Sequence, residues 1–257
     1  MKLIDTHCHL TFDDLKDDID GVVARSIEAG VCSWVTVGTE PGELEGVVAL
    51  TERFDNMYAG LGYHPHDAKS ITDDHLRNLR KLCGHEKVVA VGETGLDFFY
   101  DQSPRQIQKD IFRAHLKIAE ELKLPVIIHT RNAFEESMEI LDEYRGRLKN
   151  VVIHCFSGTE EQTRFVLDKG YHVSFTGIVT FKKAEETRQA AKLVPLDRLM
   201  VETDCPFISP EPVRNHRPCE PALMVHTAKK IAEVKGISLE DFAEKVIETS
   251  KKFFDLA

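Results

Sequence analysis

The chain has 257 residues, of which 42% are hydrophobic and 30% are charged, so a packed core is expected and a wholly disordered chain is excluded. The formal net charge of -10 argues against a basic surface that coats nucleic acid, so a polyanionic substrate would need local positive charge. The six cysteines form no CxxC motif, and no apolar run approaches the roughly 20 residues that span a bilayer. We expect a cytoplasmic protein with reduced thiols, neither exported nor membrane-inserted.

Eight short apolar runs with β-branched residues recur along the chain, and each is followed by an amphipathic stretch. The runs begin at Leu3, Ser33, Tyr58, Val88, Pro125, Val151, Tyr171 and Arg198. After the fourth run, Ser103 and Pro104 predict a helix start. The spacing predicts a buried face on this helix made of Ile107, Ile111, His115, Ile118 and Leu122. The last amphipathic stretch, which begins at Ser238, predicts a C-terminal helix.

This alternation predicts parallel strands joined by crossover helices. Eight such units indicate an α/β fold of the (β/α)8 TIM-barrel type, with a doubly wound open sheet as the alternative. No linker or low-complexity tract divides the sequence, so we expect one domain over residues 1–257. The irregular segment from Ser209 to Pro221 predicts a long loop after the eighth strand.

Ligand-type side chains stand where five of the runs end. Barrels of this type carry their active site at the C-terminal ends of the strands. The residues are His7, His9, Glu93, His129, His154 and Asp204. A lone buried histidine is more often a hydrogen-bonded core residue, but the shared placement of this set favours a metal site. Residues two apart on a strand point the same way, so His7 and His9 can serve one ion.

Three cysteines and two further histidines lie beside these positions. Cys8, Cys155 and Cys205 each follow a proposed ligand, and we expect all three to be small buried packing residues, with a catalytic or metal-binding thiolate as the alternative. His64 and His66 follow the third run and would border the site in a barrel. A protonated imidazole there would bind a substrate phosphate, and the alternative is an exposed loop histidine.

The motifs DTHCHL, GYHPHD, GETGLDFFY, HTR, HCFSG, SFTGIVTF and VETDCPFISP occur in this order over essentially the whole chain. Together they resemble the TatD family of metal-dependent deoxyribonucleases, a branch of the amidohydrolase superfamily. The resemblance implies two divalent ions, with Mg²⁺, Mn²⁺ and Zn²⁺ left open, that activate a water molecule. The implied ligands are His7, His9 and Asp204 for one ion, His129 and His154 for the other, and Glu93 as a bridge. Asp204 is also the candidate to take the water's proton or to orient the water.

Basic and aromatic residues near the strand ends are candidate substrate contacts. Those that would hold phosphates are Arg131, Lys182, Lys183, Arg214 and Arg217, with solvated surface charge as the alternative. Those that would stack on unpaired bases are Tyr63, Phe98, Phe99 and Tyr100, with packing inside the fold as the alternative.

The favoured function is that of a deoxyribonuclease that removes nucleotides from DNA ends or single strands, with a monomer favoured. The alternative is an enzyme that uses the same metals to hydrolyse a different bond, namely an ester or amide hydrolase such as a D-aminoacyl-tRNA deacylase. A purely structural role for the metals is disfavoured, because structural sites usually close their coordination with Cys and His, whereas a carboxylate-bridged pair leaves room for water.

Overall fold

Strands and helices alternate along residues 1–256, which are the residues that the computed structural model describes. The strands are β1 (Leu3–Cys8), β2 (Val31–Gly38), β3 (Met57–Leu61), β4 (Val88–Asp97), β5 (Val126–Arg131), β6 (Val151–Ile153), β7 (His172–Phe175) and β8 (Leu199–Val201). The α-helices are α1 (Ile19–Glu28), α2 (Leu44–Thr51), α3 (Asp73–Leu82), α4 (Arg105–Leu122), α5 (Phe134–Glu143), α6 (Glu160–Asp168), α7 (Glu185–Leu193), α8 (Met224–Lys235) and α9 (Leu239–Phe254). Short 3-10 helices cover Lys16–Asp18, Pro65–Ser70, Gly177–Thr180, Leu196–Arg198 and Pro221–Leu223. Within residues 1–256, no helix has the length and apolar character that crossing a membrane requires.

The eight strands follow one another in chain order within one sheet. The assigned pairs are parallel; for example, Gly95 of β4 lies opposite His129 of β5. At the other end of the order, β8 lies beside β1, where the Thr6 hydroxyl donates a hydrogen bond to the carbonyl of Val201 at 3.0 Å. A doubly wound sheet would reverse its strand order part-way and leave two edges. The predicted (β/α)8 class is therefore confirmed, and the doubly wound alternative is wrong.

Residue contacts divide the chain into two compact units. Among the described residues, the first unit contains residues 1–36 and 155–256, with β1, most of β2, β7 and β8. The second unit contains residues 37–154, with β3 to β6 and helices α2 to α5. The extent of a single domain over residues 1–257 stays a prediction.

Helix α4 buries only part of the predicted face: His115 and Ile118 are buried as predicted, and Ile111 and Leu122 are half-buried. Ile107 is 38% exposed, whereas Gln108 and Phe112 are buried. Gln108 is satisfied there because its side chain accepts a hydrogen bond from the backbone N–H of Asp97 and donates to the carbonyls of Asp97 and Ser103. The predicted buried face therefore left out the polar residue Gln108, whose side chain is hydrogen-bonded to the end of β4.

The other elements singled out in the sequence are confirmed. Helix α4 begins at Arg105, directly after Pro104. The C-terminal helix α9 begins after Ser238, whose hydroxyl caps it by accepting a hydrogen bond from the backbone N–H of Asp241 at 3.0 Å. Residues 209–220 form neither helix nor strand, so the long loop after β8 is present.

His115 joins α4 to the segment that follows β3. Its Nε2 accepts a hydrogen bond from the backbone N–H of Tyr63 at 2.9 Å, so the neutral ring donates from Nδ1 to the carbonyl of Ile111 at 2.8 Å. Burial lowers the pKa of His115 to about 4. The unfolded chain, in which histidine has a pKa of about 6.5, binds this proton more readily. The free energy of unfolding therefore falls as the pH drops through 6.5 toward 4.

We expect His115→Gln to remove this part of the pH dependence. Between pH 7 and pH 5, the wild type should lose about 2 kcal/mol of stability through His115, and the variant should not. Denaturant unfolding at both pH values measures the difference. His216→Gln, at an exposed position, is the matched control. Equal losses in the wild type and in His115→Gln would contradict the assignment.

Candidate metal centre

In the first unit, His7, His9 and Asp204 converge on one point, and we call these three residues the first ligand group. The Nε2 atoms of His7 and His9 are 3.2 Å apart. Oδ1 of Asp204 is 3.4 Å from Nε2 of His9 and 3.8 Å from Nε2 of His7. His7 and His9 are buried, while Asp204 is partly accessible. The two histidines, His7 on β1 and His9 directly after it, thus point the same way, as their two-residue spacing predicts.

The end of β1 is hydrogen-bonded to the segment after β8, and this brings the first ligand group together. The backbone N–H of Asp204 donates to the carbonyl of His7 at 2.9 Å. The buried carboxylate of Asp5 accepts hydrogen bonds from the backbone N–H and the hydroxyl of Thr203 at 3.0 and 2.6 Å. Burial raises the pKa of Asp5 to about 7, although the hydrogen bonds from Thr203 act in the opposite direction. Asp204 has a φ of 55°, a left-handed conformation that such contacts must hold in place.

In the second unit, a single carboxylate oxygen lies among three imidazole rings. Oε1 of Glu93 is 2.8 Å from Nδ1 of His129 and 2.9 Å from Nε2 of His154. Nε2 of His64 is 3.6 Å from the same oxygen. We call Glu93, His129, His154 and His64 the second ligand group. The sequence predicts that His64 contacts the substrate, whereas in the structure it lies against the predicted ligand Glu93.

The absence of a side chain at Gly95 allows Glu93 to come close to His129. A Cβ atom at Gly95 would lie 1.9 Å from the carbonyl oxygen of His129, and the φ of Gly95 is +145°. Only glycine fits both the close approach and this backbone conformation. The GETG motif therefore lets β4 pack tightly against β5 and sets the distance between the two side chains.

Asp97, at the end of β4, fixes the orientation of His129. Its Oδ2 atom is 3.1 Å from Nε2 of His129 and 3.0 Å from Nε2 of His66. Its Oδ1 atom accepts hydrogen bonds from the backbone N–H groups of Phe99 and Tyr100. When Nε2 of His129 donates to Asp97, the lone pair of Nδ1 faces Glu93, which is the tautomer that a metal ligand needs.

The charges in the second ligand group favour a cation between its atoms. Burial acts to lower the pKa of His129, but hydrogen bonds to Asp97 and Glu93 outweigh it and raise the pKa. The pKa of Asp97 is lowered, because the contacts with His129 and the backbone N–H of Tyr100 outweigh burial. His64 behaves differently, since burial and then the neighbouring His129 hold its pKa well below its usual value. A neutral His64 does not suit the predicted contact of a protonated ring with phosphate. Its Nδ1 accepts a hydrogen bond from the backbone N–H of His66 at 3.2 Å, so the neutral ring carries its proton on Nε2, the atom that faces Glu93.

Both ligand groups match the donors and spacing that a divalent cation requires. Each offers imidazole nitrogens and at least one carboxylate, and the clusters His7–His9–Asp204 and His64–Glu93–His129 each have ligand atoms within 4.8 Å of one another. Bonds of about 2.1 Å to one ion place neighbouring ligand atoms roughly 3 Å apart. The closest separations in the two groups, 3.2 Å and 2.8 Å, fit this requirement.

The five basic residues predicted to hold phosphates are exposed. Arg131, at the end of β5, is exposed, with its guanidinium above the rings of Phe99 and Tyr100. In the first unit, the guanidinium of Arg214 lies 3.6 Å from the ring centroid of Phe181, the residue before Lys182. His66 is half-buried and hydrogen-bonded to Asp97.

Among the cysteines and aromatic residues singled out in the sequence, some lie where they were predicted and others do not. Cys8 and Cys205 are buried as predicted, but the prediction for Cys155 is wrong because Cys155 is only half-buried. Tyr63 and Phe98 are buried, so packing inside the fold explains both of them, whereas Phe99 and Tyr100 are exposed. The six cysteines, all within the described residues, are free thiols.

Two carboxylates that support the site, Asp97 and Glu202, were not predicted from the sequence. Asp97 lies four residues after Glu93 on β4, a spacing that places both side chains on one face, and this was the available signal. Glu202 is buried two residues before Asp204. Its Oε1 accepts a hydrogen bond from the backbone N–H of Cys155 at 2.7 Å, which holds the start of the loop after β6. Its only signal was an acidic residue inside the VETD motif.

Comparison with known proteins identifies the family. The model of the family described as TatD related DNase matches residues 4–255. The chain belongs to the TatD family. The resemblance inferred from the sequence motifs is confirmed, and so is the prediction of a metal-dependent hydrolase of this type.

Relatives of this TatD-family chain match it over nearly their full length. It is 39% identical to the metal-dependent hydrolase YabD of Bacillus subtilis over 98% of each chain. It is 34% identical to the 3'-5' ssDNA/RNA exonuclease TatD of Cronobacter sakazakii, over 91% of this chain and 90% of that protein. Among solved structures, the TatD homologue YJJV of Escherichia coli K12 superposes with a TM-score of 0.93 at 29% identity, covering 99% of this chain and 98% of that one.

Proposed function

We propose that this TatD-family hydrolase is a metal-dependent exonuclease that cleaves phosphodiester bonds at DNA ends or in single strands, as a cytoplasmic monomer. The observation that carries the proposal is the pair of ligand groups, each of which combines imidazoles with a carboxylate in its own unit. The Cronobacter relative, named as a 3'-5' ssDNA/RNA exonuclease, supports a single-stranded nucleic acid as the substrate.

We propose two divalent ions per subunit, and the donor set leaves Mg²⁺, Mn²⁺ and Zn²⁺ open. His7, His9 and Asp204 would hold the first ion, and His129 and His154 the second. The bridging role of Glu93 is part of this proposal and follows from the family resemblance. When bound, such ions supply positive charge that acidifies water and neutralises a phosphate.

The chain's own residues then have distinct tasks. Asp204 combines a carboxylate with partial solvent access, so it is the group placed to accept a proton from water. Asp97 keeps His129 in the tautomer that directs Nδ1 toward Glu93. Arg131, Lys182 and Arg214 supply local positive charge for phosphates on a chain whose net charge is -10.

Chelation tests the proposed function. Because the strands and helices bury an apolar core of their own, removing metal from the purified protein should abolish nucleotide release from single-stranded DNA while far-UV circular dichroism is largely kept. Adding back Mg²⁺, Mn²⁺ or Zn²⁺ should restore release. Full activity in excess chelator, or cleavage of D-aminoacyl-tRNA that exceeds DNA cleavage by orders of magnitude in kcat/KM, would contradict the proposal.

A further inference from the structure

Phe99 and Tyr100 form an exposed aromatic pair in the second unit. Each side chain is 54% exposed, whereas Phe98, directly before them, is 8% exposed. The two rings meet edge to face with centroids 4.9 Å apart. Two neighbouring large rings left in solvent, when Phe165 and Phe207 are the only other exposed aromatic side chains among residues 1–256, indicate a surface that binds another molecule.

Arg131 completes this surface. Its guanidinium carbon lies 4.2 Å from the ring centroid of Phe99 and 4.7 Å from that of Tyr100. Within residues 1–256, Arg131 forms no ion pair, whereas Arg105 and Arg113 on α4 pair with carboxylates. We call Phe99, Tyr100 and Arg131 the aromatic platform. It combines flat apolar faces with a cation whose charge is not neutralised by a nearby carboxylate.

The aromatic platform is tied to the second ligand group through Asp97. One oxygen of that carboxylate accepts hydrogen bonds from the backbone N–H groups of Phe99 and Tyr100, at 3.0 and 2.8 Å. The other oxygen contacts Nε2 of His129 at 3.1 Å. The ring of Tyr100 also lies edge to face with that of His66, with centroids 5.3 Å apart. A molecule seated on the platform therefore lies beside the candidate ligands of the second unit.

We infer that the aromatic platform is a nucleobase-binding subsite, in which one of the two perpendicular rings of Phe99 and Tyr100 stacks on the base of the terminal nucleotide of a single strand, the other contacts the edge of that base, and Arg131 binds an adjacent phosphate. The inference rests on the proposed function, because it states how that same site takes up its substrate. Aromatic faces stack on any base, and a guanidinium matches the oxygens of a phosphate. A base inside a duplex is already paired and stacked, so the platform selects unpaired ends.

The test compares two oligonucleotides that differ only in the terminal nucleotide at the attacked end, one carrying thymine and the other an abasic sugar. In the wild type, the abasic end should raise KM by roughly tenfold or more, with a smaller change in kcat. In the double variant Phe99→Ala/Tyr100→Ala, the ratio of the two KM values should fall to near one, because no ring remains to contact the base. Both substitutions keep the backbone N–H groups that donate to Asp97.

Quenching of a terminal 2-aminopurine, a fluorescent base, gives a second readout that does not depend on turnover. The wild type should quench this probe, and the double variant should not. Arg131→Ala should raise KM equally for the thymine end and the abasic end, because the phosphate is common to both.

Two variants serve as controls. Phe165→Ala removes another exposed ring, 39% exposed and 4.9 Å from Nζ of Lys169 on the first unit, and should keep the wild-type KM ratio. Tyr100→Phe keeps an aromatic ring at this position and should also keep the wild-type ratio of KM values. Equal KM values for the two oligonucleotides in the wild type would overturn the inference, and this comparison needs no variant to fold. A double variant that still discriminates would overturn it too. If the wild type releases nucleotides from neither oligonucleotide, the proposed function itself fails, which is a distinguishable result.

Discussion

Glu93→Gln is expected to lower kcat/KM for DNA hydrolysis by roughly a hundredfold or more. One oxygen of Glu93 lies within 2.9 Å of the imidazole nitrogens of both His129 and His154. Glutamine keeps the size of the side chain but removes the negative charge that these atoms share with a bound cation. Metal affinity and turnover should therefore fall together.

Metal content and activity, measured on the same preparation, check this prediction. If Glu93 bridges two ions, the variant should bind both more weakly; if Glu93 serves only the second ligand group, one ion should remain tightly bound. Glu86→Gln, at an exposed position just before β4, is the matched control. Near-normal kcat/KM in Glu93→Gln would refute the assignment of this residue.

Asp97→Asn should weaken metal binding by about ten- to a hundredfold and leave more of kcat intact than Glu93→Gln does. The carboxylate accepts hydrogen bonds on both oxygens, two from backbone N–H groups and others from the rings of His66 and His129. An asparagine has only one acceptor oxygen, so it cannot accept all of these bonds. His129 then loses the contact that selects its tautomer.

Titration of activity against metal concentration separates the two variants. Excess metal should restore most of the rate of Asp97→Asn, because every atom of the second ligand group remains in place, whereas Glu93→Gln should stay slow. Asp110→Asn, at an exposed position on α4, is the control. If the activity of Asp97→Asn depends on metal concentration as that of the wild type does, Asp97 does not orient His129.

The strands, and the convergence of the candidate ligand residues in two groups, could be predicted because these residues contrast with their surroundings. A histidine or carboxylate at the end of an apolar run is conspicuous, and parallel strands in chain order bring such ends to the same side of the sheet. His7 and His9 needed only the two-residue period of a strand to be placed together. The sequence pattern and the structure therefore agree where the period of the strand and the order of the strands in the sheet place a side chain on the same side.

The remaining features depend on the direction in which the chain leaves a strand. Positions 98 and 99 are both phenylalanine, yet Phe98 is buried and Phe99 is exposed. The difference arises because hydrogen bonds to Asp97 set the turn after β4. The buried face of α4 is shifted by Gln108, a polar residue that periodicity does not count. The neutral state of His64 follows from burial, which no motif encodes.

The central claim is that this chain is a metal-dependent exonuclease that acts on free ends. The most direct test measures the initial rate of nucleotide release from one single-stranded DNA sequence, offered as a linear strand and as a closed circle, with divalent metal and with chelator. We predict rapid release from the linear strand with metal, no release in chelator, and a circle that stays intact at the same enzyme concentration. A circle that is cut as fast as the linear strand would contradict the claim.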